Sequence, residues 1–311
     1  MRRTVVLSMV VVLLSLLPAC GRREGAPTLP TTPEPPKPVD VHLRLISSQT
    51  GRPVAGARVT ARRAEHRFTC VALGEVLAEA VSDADGGVVL RGIPGSSDPG
   101  PVRRDVALRI DAGPRFLVRE VFLGDTPGSD PGVYPLWELA PEIGATEEMT
   151  RAINGGGVAK PPGPVYVEIT PEFEPVRGDF EAAARRNNEV LADPAVPIRV
   201  VSAGEVPAGA FRVRLEIDPN EAGNPRTACG SGGCVITFPR NPATGGPGVG
   251  LRTAMHELGH VMGLYHHPGP GLMSIVRPAW DWTEQEVWAV RPRRHRANGN
   301  VWPDRALGPG C

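Results

Sequence analysis

The chain is 311 residues long and carries 34 basic and 34 acidic side chains, so its formal net charge is zero. That balance excludes the basic excess by which nucleic-acid binders hold phosphate, and no nucleic-acid partner is expected. Hydrophobic residues at 41% are enough for a globular core, while 37 glycines and 35 prolines point to turns and short strands rather than a helix bundle.

Residues 1–20, MRRTVVLSMVVVLLSLLPAC, open with Arg2 and Arg3, run apolar from Val5 to Leu17 and end on small residues. This is the layout of an export signal, too short for an ordinary membrane-spanning helix. Its end, Leu17-Pro18-Ala19-Cys20, resembles the lipobox of bacterial lipoproteins. The resemblance implies that Cys20 becomes the lipidated first residue, anchoring the protein to a membrane of the cell envelope, periplasmic or at the cell surface. Residues 21–38 follow as a proline-rich, semi-rigid spacer.

In an oxidising compartment the remaining cysteines, Cys70, Cys229, Cys234 and Cys311, read as disulfide partners. Cys229 and Cys234 flank Gly-Ser-Gly-Gly and are expected to close a small loop. Cys70 with Cys311 is the remaining combination.

From Val39 the pattern has period two. Val39, Val41, Leu43 and Leu45 alternate with polar residues, and ARVTARR, a turn at Asp85-Gly86-Gly87 with its following strand, DVALRI and FLVREVFL continue the series. Residues 39–124 are therefore expected to form a small antiparallel β-sandwich. The stretch TGRPVAGARV…SDADGGVVLRGIPG is similar to carboxypeptidase regulatory-like (prealbumin-like) domains, which implies a non-catalytic module. Residues 125–163 read as a connecting segment with a short helix near Glu147–Ile153.

Residues 164–311 read as a second, α+β domain. PVYVEIT, PIRVVSA, FRVRLEI and CVITFP are strands, and DFEAAARRNNEVL is a helix that Asp179 is placed to cap. Leu251, Ala254, Met255, Leu258, Val261 and Met262 recur at helical spacing as one buried face. His256 and His260 are four apart, one turn above the other, and two imidazoles so placed can share one metal ion. Glu257 stands beside the first ligand, within reach of a metal-held water. Gly263 can take positive φ, break the helix and return His266 as a third ligand, with His267 as the competing choice. Three protein ligands leave a position open, as at a catalytic zinc.

HELGHVMGLYHHPGPGLMS resembles the metzincin metalloproteases, and the short gap to Met273 resembles their matrixin-like branch. The resemblance implies a twisted mixed sheet with an active-site helix and a C-terminal helix. It implies one catalytic Zn2+ on His256, His260 and His266, Met273 in a turn beneath the metal, and Glu257 as general base of a peptide hydrolase. WTEQEVW, 282–288, resembles the start of the final helix, with Thr283 and Glu286 as a capping box. The chain departs from the branch in having no histidine between His66 and His256 to hold a structural zinc, no latency cysteine and no tyrosine after Met273. Asp218, Asn220 and Glu221 form either a calcium site or a solvated turn. Trp280 and Trp282 either wall a substrate pocket or pack in the core. CVITFP is expected as the edge strand that pairs with an extended peptide. The expected protein is a monomer acting on peptide or protein substrates. The competing reading is a surface-binding lipoprotein working through the sandwich, with a vestigial zinc site; zinc scavenging is a weaker third.

Overall fold

A computed structural model describes residues 37–67, 70–96, 102–124, 132–155, 160–218 and 223–295. Residues 1–20, expected as an export signal ending at Cys20, most of the proline-rich segment, Asn220, Glu221 and Cys311 lie outside the described residues. The architecture is mixed α+β, with three sheets and short helices. None of the described helices is long and apolar enough to cross a membrane.

The first half follows the period-two pattern into strands β1 (Val39–Ser47), β2 (Arg58–Arg67), β3 (Cys70–Val81), β4 (Gly87–Ile93), β5 (Arg103–Asp111), β6 (Arg119–Leu123) and β7 (Val133–Leu136). One sheet has the order β4-β1-β7 and the other β3-β2-β5-β6. Leu43, Leu45, Leu90, Tyr134 and Leu136 from the first share a buried cluster with Val59, Leu108, Ile110 and Val121 from the second. Burial of such side chains from two sheets stabilises by roughly 1.5–3 kcal/mol each, which is what holds the sheets face to face.

Two features differ from expectation. The arrangement is not wholly antiparallel, because β7 runs parallel to β1, with Leu45 opposite Tyr134. This strand falls within the expected connecting segment and carries Pro135; a proline is tolerated there because β7 is a sheet edge. The second feature is β3, whose sequence CVALGEVLAEAV lacks clean alternation. It becomes a strand by pairing along β2 and leaves Val76 and Val81 exposed at that sheet's rim.

The second half builds a five-stranded mixed sheet from β8 (Val165–Ile169), β9 (Ile198–Ser202), β10 (Phe211–Asp218), β11 (Arg226–Gly230) and β12 (Gly233–Pro239), ordered β11-β12-β10-β8-β9. All neighbours are parallel except β11, which runs antiparallel to β12. Helix α1 (Glu147–Asn154) precedes β8. Helix α2 (Arg177–Leu191) is the crossover that returns the chain from β8 to parallel β9. It starts two residues before the expected Asp179, out of a 3-10 turn at Glu174–Val176, so Asp179 lies in the first turn and caps nothing. Helix α3 (Leu251–Val261) and helix α4 (Glu284–Val290) complete the half. Phe180 meets Phe173 and Phe238 edge to face at 6.5 and 5.8 Å, and Phe173 and Phe238 lie tilted at 6.0 Å, between α2 and the sheet. Of the apolar face expected on α3, Ala254, Met255, Leu258, Val261 and Met262 are buried, whereas Leu251 at the helix start is exposed.

The halves touch through Trp288 on α4. Its indole Nε1 donates to the Glu138 carbonyl at 2.9 Å, Gln49 donates to its own carbonyl, and Ser47 donates to the Glu138 carboxylate at 2.5 Å.

Candidate metal centre

Helix α3 places His256 and His260 on one side, one turn apart. The chain leaves the helix at Gly263, whose φ of 76° lies in the left-handed region that glycine enters without steric cost. The amide of Leu264 bonds to the Gly259 carbonyl at 3.0 Å and that of Tyr265 to Ile153 of α1 at 2.9 Å. The turn so held brings His266 back. The three Nε2 atoms converge: 3.1 Å between His256 and His266, and 3.2 Å from His260 to each of the others.

Two of the ring tautomers are set by their partners. His256 Nδ1 lies 2.7 Å from the Leu272 carbonyl and His260 Nδ1 2.8 Å from the Leu264 carbonyl. A carbonyl only accepts, so each Nδ1 carries the proton and each Nε2 offers a lone pair. Burial pushes all three imidazoles below the ordinary histidine range, which keeps them neutral near pH 7. His256 and His260 thus aim two lone pairs at the point where His266 Nε2 also arrives, a set of nitrogens able to hold a cation. Metal–nitrogen bonds of about 2.0–2.1 Å at tetrahedral angles separate ligand nitrogens by ~3.3 Å, so the observed spacing fits a metal ion with three nitrogen donors.

Glu257 is 4% exposed, and its Oε2 accepts the hydroxyl of Thr227 on β11 at 2.6 Å. Burial raises its carboxyl above the usual range, against the opposing effect of the Thr227 bond. A cleft of about 730 Å³ opens over these groups, lined by Thr227, His256, Glu257, His260, Tyr265 and His266. A second recess of about 330 Å³ adjoins it past Arg252, Thr253, Ser274, Ile275 and Pro278.

The support beneath the histidines joins the expected Met273, Thr283 and Glu286 to Gly259, Asn154, Asn187 and Arg293, which the sequence did not single out. Met273 is fully buried, and a Cβ on Gly259 would lie 2.6 Å from its sulfur, so the helix needs glycine there for the methionine to approach. Thr283 and Glu286 form the expected capping box. Beyond it, the Glu286 carboxylate accepts the amides of Leu272 at 2.9 Å and Met273 at 2.8 Å, and bonds His267 Nε2 at 2.9 Å. His267 is thus turned into the core and away from the other three. Arg293, almost wholly buried, donates to the Met262 carbonyl at 2.6 Å, the Gly263 carbonyl at 3.3 Å and Asn154 at 3.2 Å. Burial lowers its pKa to about 10, which leaves it charged at neutral pH. Asn187 of α2 donates to the Met255 carbonyl and accepts from Trp282 Nε1.

Cys229 and Cys234 form a disulfide across the β11–β12 hairpin. Trp282 is in the core, Trp280 is 84% exposed, and neither lines the two recesses. Asp218 pairs with Arg226 at 2.7 Å. The expectation for CVITFP is corrected: it is β12, hydrogen-bonded on both sides, and among the described residues the free edge beside the cleft belongs to β11. That strand is short and polar, RTACG, and gave no strand signal of its own.

Fold and site together define an α+β protein with a three-histidine cluster able to hold a metal ion. No protein-family model matches the chain, and no curated protein matches it either.

Proposed function

We propose that the chain is a zinc-dependent endopeptidase of metzincin, matrixin-like type, exported and tethered to the cell envelope through Cys20. The observation that carries the reading is the convergence of three Nε2 atoms at 3.1–3.2 Å beside the buried Glu257 carboxylate, in a cleft open to solvent. Three neutral nitrogen donors with an open side suit catalytic zinc, whereas a structural site closes with a fourth protein ligand.

His256, His260 and His266 would hold the ion. Bound zinc supplies a Lewis acid that acidifies a water and polarises a peptide carbonyl. Glu257 is the base. Its Oε2 is engaged by Thr227, which leaves Oε1 to take the proton of the attacking water and pass it to the leaving amine. A carboxyl raised by burial is better matched to that exchange near neutral pH than an exposed one. The β11 edge offers unpaired backbone groups to which an extended peptide can add as a further strand.

The test is incubation of the purified, metal-loaded chain with a diverse peptide mixture, read by mass spectrometry, with Glu257→Ala in parallel. Chelator-sensitive cuts by the wild type and none by a variant of equal metal content are expected. No cuts by folded, metal-loaded wild type would overturn the reading.

A further inference from the structure

We infer that Thr227 is a positioning residue that couples pairing of an extended substrate on β11 to the aim of the Glu257 carboxylate. The inference rests on the endopeptidase reading. It starts from the register of the β11–β12 hairpin, in which Cys229 faces Cys234 and Thr227 faces Ile236. The Cα atoms of the cysteine pair are 4.1 Å apart. In an antiparallel ladder that closeness marks a pair that exchanges no backbone hydrogen bonds. Pairs of the two kinds alternate, so Thr227–Ile236, two residues on, is also such a pair. The N–H and C=O of Thr227 therefore point away from β12, toward the free edge where a substrate strand would add.

The side chain goes elsewhere. Residues directly opposite share a face of the sheet, and Ile236 is fully buried on the face that packs into the core with α3. Thr227 shares that face, and its hydroxyl reaches Glu257, thirty residues further along the chain, at 2.6 Å. Its neighbours Arg226 and Ala228 are exposed, while Thr227 is half-buried. One residue thus presents its backbone to the incoming peptide and its hydroxyl to the base. A peptide that pairs with Thr227 is held in fixed register against the carboxylate that must move its proton.

The threonine hydroxyl donates to only one carboxylate oxygen. Fixing Oε2 fixes the plane of the group and hence the direction of Oε1. Valine has the same shape and suits a strand at least as well, but it cannot make this bond. Serine can.

The experiment compares wild type, Thr227→Val and Thr227→Ser as full chains, each loaded with zinc and checked for metal content. Kinetics are measured on a peptide that the wild type cuts, and crystals of each zinc-loaded protein show the Glu257 side chain. Thr227→Val is expected to bind zinc and keep KM within about twofold while kcat falls about tenfold or more, with the carboxylate reoriented. Thr227→Ser should restore kcat to within about threefold of wild type. A valine variant with wild-type kcat, serine and valine variants that fall equally, or a valine variant whose carboxylate has not moved overturns the inference. Wild type that cuts with Thr227→Val unaffected overturns this inference alone; zinc-loaded wild type that cuts nothing overturns the endopeptidase reading and the inference with it.

Discussion

Glu286 accepts the backbone N–H of Met273 at 2.8 Å, and the carbonyl of that same peptide unit, belonging to Leu272, accepts from His256 Nδ1 at 2.7 Å. A single peptide thus stands between a buried carboxylate on α4 and one of the three converging imidazoles. Glu286→Ala would leave the Leu272 and Met273 amides and the His267 ring without their acceptor in a dry interior. A loss of about 4 kcal/mol in unfolding free energy is expected. Urea denaturation of the metal-free protein measures it, and an unchanged midpoint would show that the carboxylate holds nothing.

Acid should loosen the metal-free protein in two stages. Burial depresses the folded pKa values of His256, His260 and His266, so below the ordinary ~6.5 the unfolded chain takes up protons that the folded chain refuses. Their contribution is complete above that value and is lost as pH falls through the depressed ones. For Glu286, burial alone would raise the pKa, but the bonds from His267, Thr283, Met273 and Leu272 outweigh it and hold the carboxyl low. Its contribution is present above the ordinary ~4.3 and disappears at lower pH. Metal affinity should weaken over the first stage, as protons compete for the same nitrogens. Thermal melts and metal titrations between pH 8 and 4 test this; stability flat across ~6.5 contradicts it.

Gly263 bends the chain at φ 76°. Gly263→Ala places a Cβ in the left-handed region at about 1–2 kcal/mol and shifts the turn that delivers His266. Metal affinity should fall about tenfold with the helix content intact. Competition with a chromophoric chelator reads the first and circular dichroism the second.

Replacing Cys229 and Cys234 by serine removes a short cross-link from the hairpin that bears Thr227. Loop-closure entropy for so small a ring corresponds to about 2 kcal/mol. Amide exchange should accelerate across 226–237 more than in β8 or β10, and uniform acceleration would show that the bridge acts globally.

Much of this arrangement was legible in the residues. The i, i+4 histidines, the glycine three residues on and the next histidine specify a helix, a break and a return, and the structure brings those side chains together. Strict alternation in FRVRLEI likewise becomes β10 with Phe211, Val213 and Leu215 inward. What stayed hidden depends on distant partners. Nothing in RTACG marks a strand; it becomes one because a two-residue hairpin loop folds it onto β12. Glu286 announces only its cap, since the amides it binds lie thirteen and fourteen residues away in a loop without periodicity. Arg293 is one arginine among several near the chain's end, and its role appears only when the last carbonyls of α3 are seen to need a donor.

The placement of Arg293 and Glu286 has a consequence for the life history of the chain. The three histidines are synthesised before the residues that hold their turns, because a chain emerges from its amino end. A half-made molecule therefore carries all three histidines but lacks the α4 carboxylate under His256 and the guanidinium beneath Gly263. The cluster takes its final spacing only when the carboxyl-terminal helix docks.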